Sequence, residues 1–134
     1  FRVDIVPDAN ALAWGKLVIN AAINPLTALL RVPNGDLLKR PAARLVMSAL
    51  AKEAAAVAAA GGVKLPFADP VTAVEDVARR TAANRSSMLQ DVKRGARTEI
   101  DAICGAVTCA AQEHGVPAPV NWTMWQLVNA LHGA

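Results

Sequence analysis

The sequence predicts an all-α fold: a helical bundle preceded by a single unpartnered strand. Three observations lead there. First, 54% of the residues are hydrophobic, yet there are only three Trp, two Phe and no Tyr. Aliphatic and alanine side chains suit close helix packing, whereas strands draw on aromatic and β-branched residues. Second, helix start and stop signals recur, with Asp, Ser, Thr or Pro before apolar runs and Gly after them. Third, only one segment alternates in the manner of a strand.

That segment comes first. Phe1, Val3 and Ile5 alternate with Arg2 and Asp4, the period of a strand. A lone strand cannot satisfy its own backbone hydrogen bonds, so its partner is expected outside this sequence. A chain that opens on Phe1 rather than Met also reads as a fragment. The expected division is a terminal strand and linker over 1–7 and a helical domain over 8–134.

Asp8 is the expected N-cap of a helix from Ala9 to about Ile23. Pro25 removes a donor and disfavours helix at Asn24, so a kink or restart is expected there. Pro33-Asn34-Gly35 is a turn. Pro41 opens a long helix to about Ala60, closed by Gly61-Gly62. Its run Ala54 to Ala60 is rich in small side chains that let a neighbouring helix approach. Asp69-Pro70 starts a helix to about Asn84. Ser87 and Gln90 match a capping box, and Gly95 ends that short helix. Thr98 is the expected cap of the next helix, with Glu99 and Asp101 in its first turn, where the dipole favours negative charge. Gly115 stops it after His114. Asn121 is the expected cap of a last helix carrying Trp122, Trp125, Leu127, Val128 and Leu131.

Composition excludes several function classes. At 134 residues the chain is one domain. The net charge of +3 is mild and no block of like charge occurs, so small anions are as plausible a partner as nucleic acid. Arg79, Arg80, Arg85, Lys93, Arg94 and Arg97 are offset by Glu75, Asp76, Asp91 and Glu99, and no nucleic-acid role is expected. The longest apolar or glycine stretch, Ala54 to Val63, is too short for a membrane span of about 20 residues. Cys104 and Cys109 fall on different helix faces, against a disulfide or a zinc pair. Both read as small buried hydrophobes in a reducing compartment. His114 and His132 are isolated, so neither a metal nor a triad is expected. Gly-x-Gly is absent, which leaves no dinucleotide fingerprint and no cofactor-binding residues. Trp122 and Trp125 read as core or interface.

Chemistry concentrates in two places. From Trp14 to Ile23 the helix is mostly apolar, but Lys16, Asn20 and Asn24 interrupt it at intervals of four. At 3.6 residues per turn they form one slowly rotating stripe. Two readings fit: an ordinary amphipathic face with its Lys in water, or a cleft wall. In the second, Lys16 donates a proton or binds an anion, and the two amides hydrogen-bond a small polar ligand. The other concentration runs from Asn84 to Glu99 and includes Ser86, Ser87 and Asp91. These are caps and surface ion pairs, or Ser87 and Glu99 face a ligand.

Taken together, Trp14-Gly15-Lys16-Leu17-Val18-Ile19-Asn20, Asn24-Pro25-Leu26-Thr27-Ala28, Pro33-Asn34-Gly35, Ser86 to Asp91, Arg97-Thr98-Glu99-Ile100-Asp101, Gly105, His114-Gly115-Val116 and Pro119-Val120-Asn121 carry a resemblance. In that order they resemble the C-terminal domain of ketopantoate reductases (2-dehydropantoate 2-reductases), over nearly the whole chain. The resemblance implies a helical fold like the C-terminal domain of 6-phosphogluconate dehydrogenases. It implies Lys16 as the general acid at the ketone oxygen and Glu99 as a catalytic partner that bonds the substrate hydroxyl. Asn20, Asn24 and Ser87 are implied as substrate-binding residues, with Asn84 and Asp91 as cleft neighbours. It further implies NADPH, a 2-keto acid substrate, a role in pantothenate and coenzyme A biosynthesis, a cytoplasmic enzyme and a possible homodimer. The family's nucleotide-binding domain has no counterpart in this sequence, so the chain by itself is expected to be inactive. A related reductase of another 2-keto acid and a non-catalytic helical dimerisation domain are the competing readings.

Overall fold

A computed structural model describes residues 8–133; the strand expected at the N-terminus lies outside the described residues. Among these, every regular element is helical. They are α1 (Ala9–Leu30), α2 (Asp36–Lys39), α3 (Pro41–Ala60), α4 (Pro70–Arg80) and α5 (Ser87–Lys93), then one turn of 3-10 helix (Ile100–Ala102), α6 (Cys104–His114) and α7 (Pro119–Ala130). The all-α expectation holds.

Helix α1 is central and packs against α3, α4, α5 and α7. Its Val18, Ala21, Ala22 and Ile23 join Met47, Leu50 and Ala54 of α3, Val74 of α4, Val107 of α6 and Val128 of α7 in one core. Burying an aliphatic side chain such as that of Leu50 contributes roughly 1.5–3 kcal/mol. Ala51, Ala54 and Ala58 are fully buried on a helix that meets α1, α4, α6 and α7. The alanine run thus serves close approach, as its composition predicts.

The first helix departs from expectation. Rather than restarting near Asn24, it runs through Pro25 to Leu30 as one element. A proline inside a helix costs about 3 kcal/mol, partly by orphaning the carbonyl four residues back. Here that carbonyl, of Ala21, meets the Cys104 thiol at 3.9 Å. The Thr27 hydroxyl donates to the Asn24 carbonyl at 3.0 Å, and Pro25, Leu26 and Ala28 are buried. Asp8 caps the start as expected, accepting from the Ala11 N–H at 2.7 Å. The end falls at Arg31, in the left-handed region with φ of 56°.

Helix α4 ends at Arg80, not near Asn84, because tertiary pairing claims the following backbone. The N–H groups of Asn34 and Gly35 donate to the carbonyls of Asn84 and Ala82, each at 3.0 Å. The cap of α5 is Ser86 rather than Ser87: its Oγ accepts from the Leu89 N–H at 3.0 Å. Thr98 does not cap a long helix. Its hydroxyl lies 3.4 Å from the Ile100 N–H in the 3-10 turn, and α6 starts only at Cys104 without a side-chain cap. Gly115 closes α6 with φ of 66°, as expected.

Asn121 is not a cap either. Pro119 takes the first position of α7, and Asn121 is fully buried inside the helix. The cap comes from another helix. Glu53 of α3 accepts from the backbone N–H groups of Val120 and Asn121 and from Asn121 Nδ2, each at 2.9 Å. Trp125 sits half-buried, its indole N–H donating to Asp101 at 2.7 Å. A Cβ on Gly105 would lie 2.9 Å from that ring. Trp122 is 52% exposed. Cys104 is buried and Cys109 exposed; the different faces were expected, but Cys109 is no buried hydrophobe, because its position points outward from α6.

Candidate active site

The polar stripe of α1 runs from open surface into a covered seam. Lys16 is exposed, Asn20 and Asn24 are half-buried, and Thr27 is fully buried. At 1.5 Å per residue, Lys16 and Asn24 are separated by about 12 Å along the axis. The cover at the far end is α5, which packs on α1. Thr27 Oγ1 lies 2.7 Å from Ser86 Oγ, and Ser87, the next residue, is the exposed first residue of α5.

Local sequence explains why α5 sits there. The Pro33-Asn34-Gly35 turn grips the segment leading into it. Besides the two backbone bonds, Asn34 Nδ2 donates to Thr81 Oγ1 at 3.0 Å. A Cβ on Gly35 would lie 2.5 Å from Ala82 Cβ and 2.8 Å from its Cα. Only glycine admits so close an approach of two backbones. The grip holds the segment that leads into Ser86, whose hydroxyl meets Thr27.

The remaining predicted residues are spread around this seam. Asn84 is exposed, and its backbone carbonyl is the one held by Asn34. Asp91 accepts from Arg94 at 2.7 Å across one helical turn. Glu99 is exposed at the head of the 3-10 turn. Among the described residues, no side-chain hydrogen bond links Glu99 to Lys16, Asn20, Asn24 or Ser87. The structure therefore joins the Asn24 backbone to the start of α5 through Thr27, sets Lys16 and Asn20 on the same helix, and places Glu99 on a separate element. Thr27, Ser86 and Asn34 build this seam but are not among the predicted site residues. Thr27 alone carried a signal: a hydroxyl on an apolar helix, two residues after a proline.

Electrostatic perturbation lies behind the stripe. Burial, with the Glu53 charge acting in the same direction, pushes the Cys104 thiol up to about 12. It therefore stays protonated and keeps a donor toward the Ala21 carbonyl that Pro25 orphans. That carbonyl is turned into the core, not toward the stripe.

A cavity of about 490 Å³ lies beside the stripe, lined by Ile19, Phe67, Asp69, Thr72, Asp76 and Arg80 among others. None of the predicted site residues lines it. Nor do the residues present fit a dinucleotide: the described residues contain no strand-to-helix turn, and the sequence has no Gly-x-Gly to admit a pyrophosphate. No group of three or more His, Cys, Asp or Glu suited to a metal ion occurs among the described residues.

The described arrangement is a lysine and two amides on one helix, abutting the hydroxyl-bearing start of another. Residues 8–132 match the family described as ketopantoate reductase PanE/ApbA, C-terminal. The 2-dehydropantoate 2-reductase of Archaeoglobus fulgidus is 42% identical over 130 residues, 97% of this chain and 43% of that protein. That of Pyrobaculum aerophilum is 45% identical over 129 residues, 96% of this chain and 46% of that protein. Among solved structures, the ketopantoate reductase of Ralstonia eutropha JMP134 superposes with a TM-score of 0.89 at 34% identity, covering 96% of this chain and 43% of that one. D-mandelate dehydrogenase in complex with NADH superposes with a TM-score of 0.87 at 26% identity, over 96% of this chain and 44% of that one. A dimeric ketopantoate reductase from Staphylococcus aureus gives 0.77 at 27%, over 98% and 46%. This chain belongs to the ketopantoate reductase C-terminal domain family. It spans a little under half the length of the relatives it matches.

Proposed function

We propose that this chain is the substrate-binding domain of an NADPH-dependent reductase that converts 2-dehydropantoate to pantoate. The observation that carries the reading is the stripe of Lys16, Asn20 and Asn24 ending at the α5 seam, within a chain 42–45% identical to two such reductases. Nucleotide binding is assigned to residues outside those described, in a preceding domain of which residues 1–7 would be the last strand and linker. The cytoplasm, the route to coenzyme A and a homodimer belong to the same proposal. The dimeric relative supports the last of these, and no described helix is long and apolar enough to cross a membrane.

Reduction of a ketone leaves negative charge on oxygen as hydride reaches carbon, and the reduced nicotinamide is the hydride source. Lys16 then serves as general acid, its ammonium giving a proton to that oxygen. Asn20 and Asn24 hold the carboxylate and keto group through their amides, Ser87 adds a hydroxyl from the facing helix, and Glu99 accepts from the substrate hydroxyl. Asn84 and Asp91 flank the site. In the full-length protein, Lys16→Ala is expected to lower kcat at least 100-fold, the low end for a general acid, with little change in the affinity for NADPH. A wild-type rate would remove Lys16 from this role.

A second reading is favoured by the likeness to D-mandelate dehydrogenase: the same domain in a reductase of a different 2-keto acid. A substrate panel on the full-length enzyme separates the two.

A further inference from the structure

We infer that Thr27 and Ser86 are positioning residues that fix the width of the substrate site, through a one-way chain of hydrogen bonds between its two walls. The inference rests on the proposed site above and goes beyond it, since neither residue faces the open stripe.

Proton bookkeeping sets the direction. Thr27 Oγ1 bonds both the Asn24 carbonyl at 3.0 Å and Ser86 Oγ at 2.7 Å. A carbonyl can only accept, so the single hydroxyl proton of Thr27 goes to Asn24. Ser86 must therefore be the donor in the Thr27–Ser86 bond. Ser86 Oγ in turn accepts from the Leu89 N–H at 3.0 Å. The chain reads Leu89 N–H, Ser86 O–H, Thr27 O–H, Asn24 carbonyl, and each hydroxyl donates once and accepts once. Both hydroxyls are buried, Thr27 at 0% and Ser86 at 7% exposure, so water cannot readily substitute for a missing link.

The two ends of this chain are the backbone of Asn24, on one wall, and the first turn of α5, on the other. Ser87 follows Ser86 directly. A hydroxyl pair at 2.7 Å holds the two walls at one spacing, whereas apolar packing alone tolerates sliding. A hydrogen bond stretched much beyond about 3.2 Å is largely lost, so a shifted wall weakens the contacts to substrate and the effect should appear in substrate affinity.

The test uses the full-length enzyme with 2-dehydropantoate and NADPH. Thr27→Val keeps shape and removes the relay; KM for the keto acid should rise about tenfold while KM for NADPH holds. Thr27→Ser, which restores the hydroxyl, should return KM to within about twofold of wild type. Val92→Ala on α5, a packing change away from the relay, should lower Tm without moving KM. If Thr27→Val does not fold, Ser86→Gly breaks the chain from the other side while keeping a residue tolerated at a cap, and KM is read there. Unmoved KM in whichever relay variant folds, or an equal rise in Val92→Ala, overturns the proposal. Lys16→Ala separates the two claims. A wild-type rate there sinks the site itself, while lost turnover there with unmoved KM in Thr27→Val sinks only the relay.

Discussion

Glu53→Ala is the most demanding test of how this bundle is closed. The carboxylate reaches from α3 to the start of α7 and takes three N–H groups, two from the backbone and one from the buried Asn121 amide. Helix starts leave unpaired N–H groups that an acceptor stabilises by about 1 kcal/mol per cap. A negative charge against the helix dipole adds about 0.3–1 kcal/mol. Stripping the acceptor from the Asn121 amide costs a further 1–2 kcal/mol or so, since its remaining contact, to the Leu50 carbonyl, is long at 3.4 Å. The sum is about 3 kcal/mol, or a Tm lower by roughly 10 °C for a domain of this size. Urea unfolding of the variant gives the free energy directly. Glu53→Gln, with one neutral oxygen left, should lose about half as much. Combined with Asn121→Ala in a double-mutant cycle, Glu53→Ala should show a coupling of about 1 kcal/mol. A Tm loss below about 3 °C, or strict additivity in the cycle, would refute this account of the α3–α7 junction.

Three further outcomes are expected. In native protein a disulfide reagent should modify Cys109 quickly and Cys104 only on unfolding, and Cys109→Ser should leave the folded protein unreactive; equal native rates for both thiols would contradict the burial of Cys104. Because folding raises the Cys104 value to about 12, its contribution to stability is complete below the unfolded thiol value of about 8.5 and declines as pH climbs toward 12. Asp101 behaves in the opposite sense: the Trp125 indole N–H, then the Asn129 amide, hold its carboxyl below the usual range. Its contribution is present above the unfolded value and lost as pH falls through the folded one. The Trp125 indole resonance should titrate below the ordinary carboxylate range and cease to do so in Asp101→Asn; a midpoint at or above that range would be wrong for this geometry.

How much of this was legible in the sequence depends on the range of the interactions. Asp8, Asp69, Pro41 and Gly115 act on their own neighbours, and the helices begin or end at those residues as local rules dictate. Pro25 obeys a local rule too, but the Cys104 thiol meets the Ala21 carbonyl that it orphans, and that thiol comes from far along the chain. The capping-box rule favours Ser87, which has Gln90 three residues on, yet Ser86 is the cap, bonded to both Leu89 and Thr27. Asn121 resembles a cap because it is a small amide before an apolar run, yet Glu53 meets the need from another helix. For the site, spacing alone revealed the stripe of Lys16, Asn20 and Asn24. Nothing local to Glu99 reports its distance from them, and the hydroxyl of Thr27, visible on an apolar helix, has no evident partner until α5 lies over it.

The clasp between Gly35 and Ala82 has a consequence for how this domain can vary. It works as a ruler: the few residues after α1 measure out where α5 must begin. Lengthening the chain at 31–35 by one residue would add about 3 Å of backbone between α1 and the clasp and shift Ser86 off Thr27. The 61–69 connection is held too, with Pro66 set against Gly15 beside Lys16, and 94–98 leads directly into Glu99. A chain altered at 31–35 could fold well and still lose the register of α5 against α1.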